Sequence, residues 1–346
     1  MLRWASLSVL PGAASSFPNR GGPRFPLFLV HPRRGGGLGE AGRETTRRDG
    51  GRSIASSSVR MASGNSLDAS PSSVTAHSAT INLPSGELVQ ISGEPGLSSS
   101  EFRNVIASAL FKQWLKNLRS PSGLLNQGRM SLKQVHIQGV DMFGRGVGFL
   151  KFKADVFDNE TGKKVPGIVF ARGPSVAVLI ILESGGEDYV VLTEQVRVPV
   201  GRLILELPAG MLDDDGADIV GTAVREVEEE TGISLHLSDM VNLTAFLDPS
   251  TGCRVFPSPG GCDEEITLFL YRGRVGQEVI AALHGKEMGL REHGELIKVH
   301  VVPYQRLWRM TSDAKALTAI ALYEMAKREG LLPLPRDERS TQTYKA

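Results

Sequence analysis

The sequence predicts an α+β protein, an α/β/α sandwich on a mixed sheet preceded by a small antiparallel β region. Three observations predict it. Two stretches beyond Ser131 alternate apolar and polar residues with period two, and Val176–Leu182 is a continuous apolar run. Two helical patterns, before Gly232 and after Ser312, then interrupt the later strands, giving the order strands, helix, strands, helix.

The chain has 346 residues, 41% of them hydrophobic, enough for one large core or two modest ones. The net charge of +1 conceals an asymmetry. Residues 1–60 hold ten Arg, no Lys and three acids (Glu40, Glu44, Asp49), a balance of +7, which leaves −6 for the remainder. An acidic body argues against general nucleic-acid binding. Two cysteines, Cys253 and Cys262, make no disulfide framework and suit a reducing compartment.

Residues 1–61 read as a targeting segment, rich in Arg, Gly and Ser. The segment has no apolar run near the roughly 18 residues that a membrane span needs. No membrane association is expected. Transit into the chloroplast is predicted, with the mitochondrion as the alternative, and Val59-Arg60-Met61-Ala62 resembles a plastid processing site. Residues 62–79 form a polar linker, 80–172 a helix and β-sheet region, 173–335 the main domain, and 336–346 a tail.

Within the second region, Thr80–Leu83 and Glu87–Ile91 flank Pro84-Ser85-Gly86 as a hairpin. Ser98 and Glu101 form a capping-box pair ahead of one helix carrying Phe102, Val105, Ile106, Ala109, Leu110 and Trp114 on its apolar side. Val135 and Ile137, then Leu150, Phe152, Ala154 and Val156, mark two strands, and Gly144, Gly146 and Gly148 imply a turn or bulge between them. In the main domain, Val176–Leu182 is a strand buried on both faces. Tyr189–Val196, Leu203–Leu207, Val241–Leu247, Ile266–Arg272 and Leu296–Val302 are further strands. Ser312 is the expected cap of a last helix with Leu317, Ile320, Ala321 and Met325 inward, ending near Gly330.

The chemistry concentrates in Glu206–Ile233. A turn, Pro208-Ala209-Gly210, leads through an acidic loop into a helix with Asp218 as the expected N-cap and Gly232 as its stop. Val220, Ala223, Val224 and Val227 form its buried stripe. Glu226, Glu229 and Glu230 stand at i, i+3 and i+4, within about 100° of one another around the axis. Like charges so close repel, and Mg²⁺, a hard ion that takes oxygen ligands, relieves the repulsion. Arg225 is placed to steady Glu229.

This stretch resembles the Nudix box, G, five residues, E, seven residues, R-E-U-x-E-E-x-G-U, where U is aliphatic. Arg225-Glu226-Val227-Glu228-Glu229-Glu230-Thr231-Gly232-Ile233 match its second half completely. In the first half Ala217 occupies the glutamate slot and Gly210 lies one residue too far upstream. The resemblance runs over roughly Met130–Leu332. The Leu-Pro-Ala-Gly-Met turn and the Cys-Asp-Glu-Glu-Ile run are similar to those of sugar-nucleotide members, plant plastid ADP-sugar diphosphatases among them.

The resemblance implies the Nudix fold and Mg²⁺-dependent cleavage of ADP-glucose to AMP and glucose 1-phosphate, with Mn²⁺ as the alternative ion. The implied metal ligands are Glu226, Glu229, Glu230 and the carbonyl of Ala209. Arg197 is implied against the diphosphate, with Arg172 and Met211 as further substrate contacts. For the base, Glu264 follows Ser258-Pro259-Gly260-Gly261 in register with a mobile catalytic loop, and Glu295 resembles the corresponding acid of animal relatives. A homodimer through the N-terminal sheet is also implied. The rival expectations are an ADP-ribose pyrophosphatase with the same site and a catalytically quiet sugar-nucleotide sensor, the latter motivated by Ala217.

Overall fold

The computed structural model describes residues 77–144, 146–212, 218–289 and 294–333, all within the compact unit Asp68–Ala346. The targeting segment, most of the linker, Asp213–Ala217 and the C-terminal tail lie outside the described residues.

The first part comprises β1 (Ser78–Asn82), β2 (Leu88–Gly93), α1 (Ser99–Ala107), α2 (Ala109–Arg119), β3 (Met130–Phe143), β4 (Gly146–Asp158) and β5 (Ile168–Ala171). β1 and β2 form the predicted hairpin. The Ser98–Glu101 capping box is present with both reciprocal bonds. The expected single helix is broken at Ser108, whose hydroxyl donates to the Val105 carbonyl and accepts from the Phe111 amide. One serine thereby closes α1 and caps α2, so the apolar stripe turns a corner that its periodicity alone does not reveal. The strands lie in the order β1-β2-β3-β4-β5, and β2 and β3 run parallel, so this sheet is mixed where an antiparallel one was expected. The helical pair between them is the crossover that makes a parallel partner possible. Gly144 adopts φ 59° in the β3–β4 turn, and the Phe143 ring occupies the space where Gly148 lacks a Cβ.

The second part comprises β6 (Ser175–Ser184), β7 (Glu187–Arg197), β8 (Arg202–Glu206), β9 (Ala209–Met211), α3 (Ile219–Thr231), β10 (Val241–Asn242), β11 (Ile266–Arg274), α4 (Gln277–Leu283), β12 (Glu287–Met288), β13 (Ile297–Pro303), α5 (Tyr304–Met310) and α6 (Ala314–Arg328). Among the described residues the sheet order is β10-β11-β6-β7-β13-β12, with β8 on β7 and β9 on β6. β6 pairs parallel with β11 and antiparallel with β7. It is the predicted doubly buried strand. Val176, Val178, Ile180 and Leu182 pack with α3 and α4, whereas Ala177, Leu179 and Ile181 pack with α5 and α6. Each such fully buried Val, Leu or Ile side chain stabilises by about 1.5–3 kcal/mol, and the two layers make the α/β/α sandwich.

Three expectations here need correction. The strand predicted at Val241–Leu247 is only two residues long, because a 3₁₀ turn over Thr244–Phe246 leaves the ladder. Asp313, not Ser312, caps α6, with its carboxylate accepting from the Lys315 and Ala316 amides. The buried face of α6 is Ala316, Ala319, Tyr323 and Ala326. Leu317 and Met325 are exposed there, as small alanines let the helix approach the sheet closely. α4 and α5 have no counterpart among the predicted elements.

Candidate active site

β8 delivers Glu206 to the turn at Pro208, and β9 then lies antiparallel to the first residues of β6, pairing Ala209 with Ala177 and Met211 with Ser175. This fixes the backbone at Ala209 and Gly210. α3 follows, with Asp218 at its N-cap position making no side-chain capping bond. The helix ends at Gly232 in the left-handed conformation, φ 76°. Ala223 and Val227 anchor it in the core, with Val220 and Val224 partly buried beside them.

That anchoring aims Glu226 and Glu230 at the Ala209–Gly210 backbone. The Glu226 carboxylate lies in the space that a Gly210 Cβ would fill. Glu230 accepts from the Ala209 amide at 3.1 Å and from the Gln195 side-chain amide at 3.1 Å. Burial pushes the Glu230 carboxyl up to about 8, and the nearby charges of Glu226 and Glu295 add to the rise. Glu229 is exposed on the next face. Arg225 donates to the Thr222 hydroxyl at 3.0 Å, one turn back.

Arg197, at the end of β7, lies within electrostatic reach of Glu230. Its Nε and Nη2 donate to the two oxygens of Glu206 at 2.5 and 3.1 Å. Lys315 donates to Glu206 at 2.8 Å and to Asp313 at 3.0 Å. Despite burial, these cations hold the Glu206 carboxyl below its ordinary range.

A second cluster begins where β6 starts. Arg172 reaches the Met211 sulfur at 3.2 Å and Glu264 at 3.5 Å, and the Ser175 hydroxyl donates to Glu264 at 3.2 Å. Asp263 accepts from the Arg172 and Gly173 amides, fixing the loop before β11. Met211 lies two residues from Ala209 along β9, roughly 7 Å, so the clusters adjoin. Cys253 and Cys262 are free thiols.

The oxygen donors suit a hard divalent ion. Among the described residues no three His, Cys, Asp or Glu side chains form a ready-made metal cage. The fit rests instead on the Glu226–Glu230 pair and the adjoining backbone, where the raised Glu230 carboxyl is what an added cation would relieve.

The NUDIX domain family matches residues 171–321. Over 272 residues, 78% of this chain and 87% of the relative, the sequence is 66% identical to the Arabidopsis thaliana protein named Nudix hydrolase 14, chloroplastic. The chain belongs to the Nudix hydrolase family. This Nudix hydrolase is also 32% identical over 203 residues to an ADP-ribose pyrophosphatase of Haemophilus influenzae, covering 56% of the chain and 84% of the relative. An ADP-ribose pyrophosphatase of Bacillus subtilis is 30% identical over 157 residues, 45% of the chain and 74% of the relative.

In this Nudix hydrolase the structure brings Ala209, Glu226 and Glu230 together, with Arg197 and Glu295 within electrostatic reach of Glu230, and puts Arg172, Met211 and Glu264 in the adjoining cluster. Sequence reasoning missed Gln195, although it shares the Arg197 face of β7 by simple alternation. It also missed Lys315, which no local pattern links to Glu206.

Proposed function

We propose that the chain hydrolyses the diphosphate bond of ADP-sugars with Mg²⁺, converting ADP-glucose to AMP and glucose 1-phosphate. The observation that carries this reading is the convergence of Glu226 and Glu230 on the Ala209–Gly210 backbone. Those two carboxylates, the exposed Glu229 and the Ala209 carbonyl would hold the metal. When bound, Mg²⁺ neutralises the diphosphate and lowers the pKa of the attacking water.

Arg197 uses one edge of its guanidinium on Glu206 and directs the rest toward the phosphate oxygens. Arg172 and Met211 border the substrate from the adjoining cluster. A carboxylate takes one proton from the attacking water as its oxygen bonds to the phosphorus nearer adenosine. The bridging P–O bond breaks, and glucose 1-phosphate leaves with the electron pair. We assign the base to Glu295, since its charge reaches Glu230, while Glu264 is held by Arg172 and Ser175.

The chloroplast is the proposed compartment, supported by the chloroplastic relative and the Arg-rich, acid-poor first 60 residues. A homodimer through the five-stranded sheet is proposed on the exposed Phe143, Ile168 and Phe170. No helix among the described residues is long and apolar enough to cross a membrane.

A second reading, ADP-ribose cleaved to AMP and ribose 5-phosphate, draws support from the bacterial relatives' names. The test is a competition assay with Mg²⁺ and equal ADP-glucose, ADP-ribose and UDP-glucose, following products by mass. A large kcat/KM advantage for ADP-glucose is expected. Preference for ADP-ribose selects the second reading, and binding without turnover makes the protein a sensor.

A further inference from the structure

We propose that Lys315 is a positioning residue for substrate: with Asp313 it fixes the Glu206 carboxylate and, through it, the Arg197 guanidinium. This rests on the reading in which Arg197 holds oxygens of the diphosphate.

Arg197 needs such a tie. It is the last residue of β7, pairs only with Arg202 across the edge, and precedes the exposed Val198–Val200 turn. Its side chain is 41% exposed, so packing alone leaves it free to change rotamer. Glu206 supplies a rigid anchor because it is almost fully buried and both its oxygens are engaged.

Lys315 shares one Glu206 oxygen with Arg197 and is balanced by Asp313, whose carboxylate also accepts from the first amides of α6. The two cations and two carboxylates sum to zero, so the network adds no net positive charge. What it supplies is position: both Glu206 oxygens are held, and the guanidinium they accept from is held with them.

The start of α6 is tied to the same strand. The Thr311 hydroxyl donates to the Leu205 carbonyl at 2.6 Å, and Arg202 reaches the Ser312 hydroxyl at 3.4 Å. The helix start, the strand and the guanidinium are thus tied to one another. A buried ion network without a role in binding would be replaceable by apolar side chains at little cost. The two cases give different kinetics.

The test uses the full chain with Mg²⁺ and, separately, ADP-ribose and ADP-glucose, comparing the parent with Lys315→Met, Lys315→Arg and Asp313→Asn. Thermal melting and the Arg197 Nε–H signal in ¹⁵N-arginine spectra are recorded on each. Lys315→Met is expected to raise KM about tenfold with kcat within about twofold, the pattern of lost uniform binding, and Lys315→Arg to restore it. The Nε–H signal, protected in the parent, is expected to exchange rapidly in Lys315→Met. Asp313→Asn keeps a cap acceptor and is expected to shift KM in the same direction by less. Should Lys315→Met not fold, a parent-like KM in Asp313→Asn overturns the proposal. So does a lower melting temperature in Lys315→Met with parent KM and an unchanged Nε–H signal. A parent that hydrolyses neither substrate refutes the proposed function, and the Nε–H comparison still decides whether Lys315 positions Arg197.

Discussion

Glu206 and Glu230 are each 5% exposed, yet their carboxyls shift in opposite directions. Glu206 meets Arg197 and Lys315, and their charges outweigh its loss of solvent. Glu230 receives two hydrogen bonds from neutral amides but, among the described residues, has no hydrogen-bonded cation to offset its loss of solvent; burial, with the charges of Glu226 and Glu295 adding to it, takes its carboxyl up to about 8. Equal burial therefore does not mean equal role. A buried acid matched by protein cations is part of the framework, whereas one crowded by other acids is poised for a cation from solution.

The contrast breaks first at Glu230. Glu230→Gln is expected to lower kcat/KM on the order of 10³-fold, because a proposed metal ligand is lost. The metal-free variant should nonetheless melt no lower than the parent at neutral pH, since the cost of keeping the Glu230 carboxyl protonated in the fold is removed. A lower melting temperature together with parent-like turnover would assign Glu230 to the framework.

Glu206→Gln should instead lower stability, together with the rise in KM expected when Arg197 loses its anchor. Lys315, 15% exposed, keeps Asp313 but loses a charged hydrogen bond, as does Arg197, a cost of about 2 kcal/mol measurable by urea unfolding. A variant as stable as the parent would remove the distinction between the two acids.

Gly210→Ala sharpens the contrast without touching a charge. The added Cβ displaces the Glu226 carboxylate, so half-saturating Mg²⁺ should rise about tenfold or more, with little change in melting temperature. An unchanged Mg²⁺ requirement would take Glu226 out of the site.

The smallest effect is a pair of opposed pH slopes in metal-free protein. Glu230 keeps its proton to about 8 in the fold but loses it near 4.5 when unfolded, so its contribution to stability falls as pH rises through that window. Glu206, with a lowered carboxyl, contributes above about 4.5 and loses that contribution as pH falls into its depressed range. Unfolding series from pH 2 to 9 with Glu230→Gln and Glu206→Gln should each flatten one limb. Parallel profiles for both variants would contradict the assignment.

Much of the site is legible in the amino-acid order alone. Glu226 and Glu230 fall on one side of a helix because its rise and twist are the same everywhere, and Gly232 stops that helix because only glycine adopts its backbone angles without strain. β6 is readable as a central strand since a run of eight buried residues leaves no polar face for solvent. Other features are not so encoded. The break at Ser108 interrupts a continuous amphipathic pattern, and the inner face of α6 is chosen by alanine contacts rather than by its largest side chains.

Local backbone geometry thus carries the helix with its acids, the turn before it and the strands beneath. The fates of the two buried carboxylates depend on groups far away in the chain. Lys315 reaches Glu206 across 109 residues, and Gln195 reaches Glu230 across 35. Periodicity records which side chains share a face, but a charge in low dielectric is governed by whatever lies within a few ångströms, and that is settled only when the sheet and both helical layers close around it.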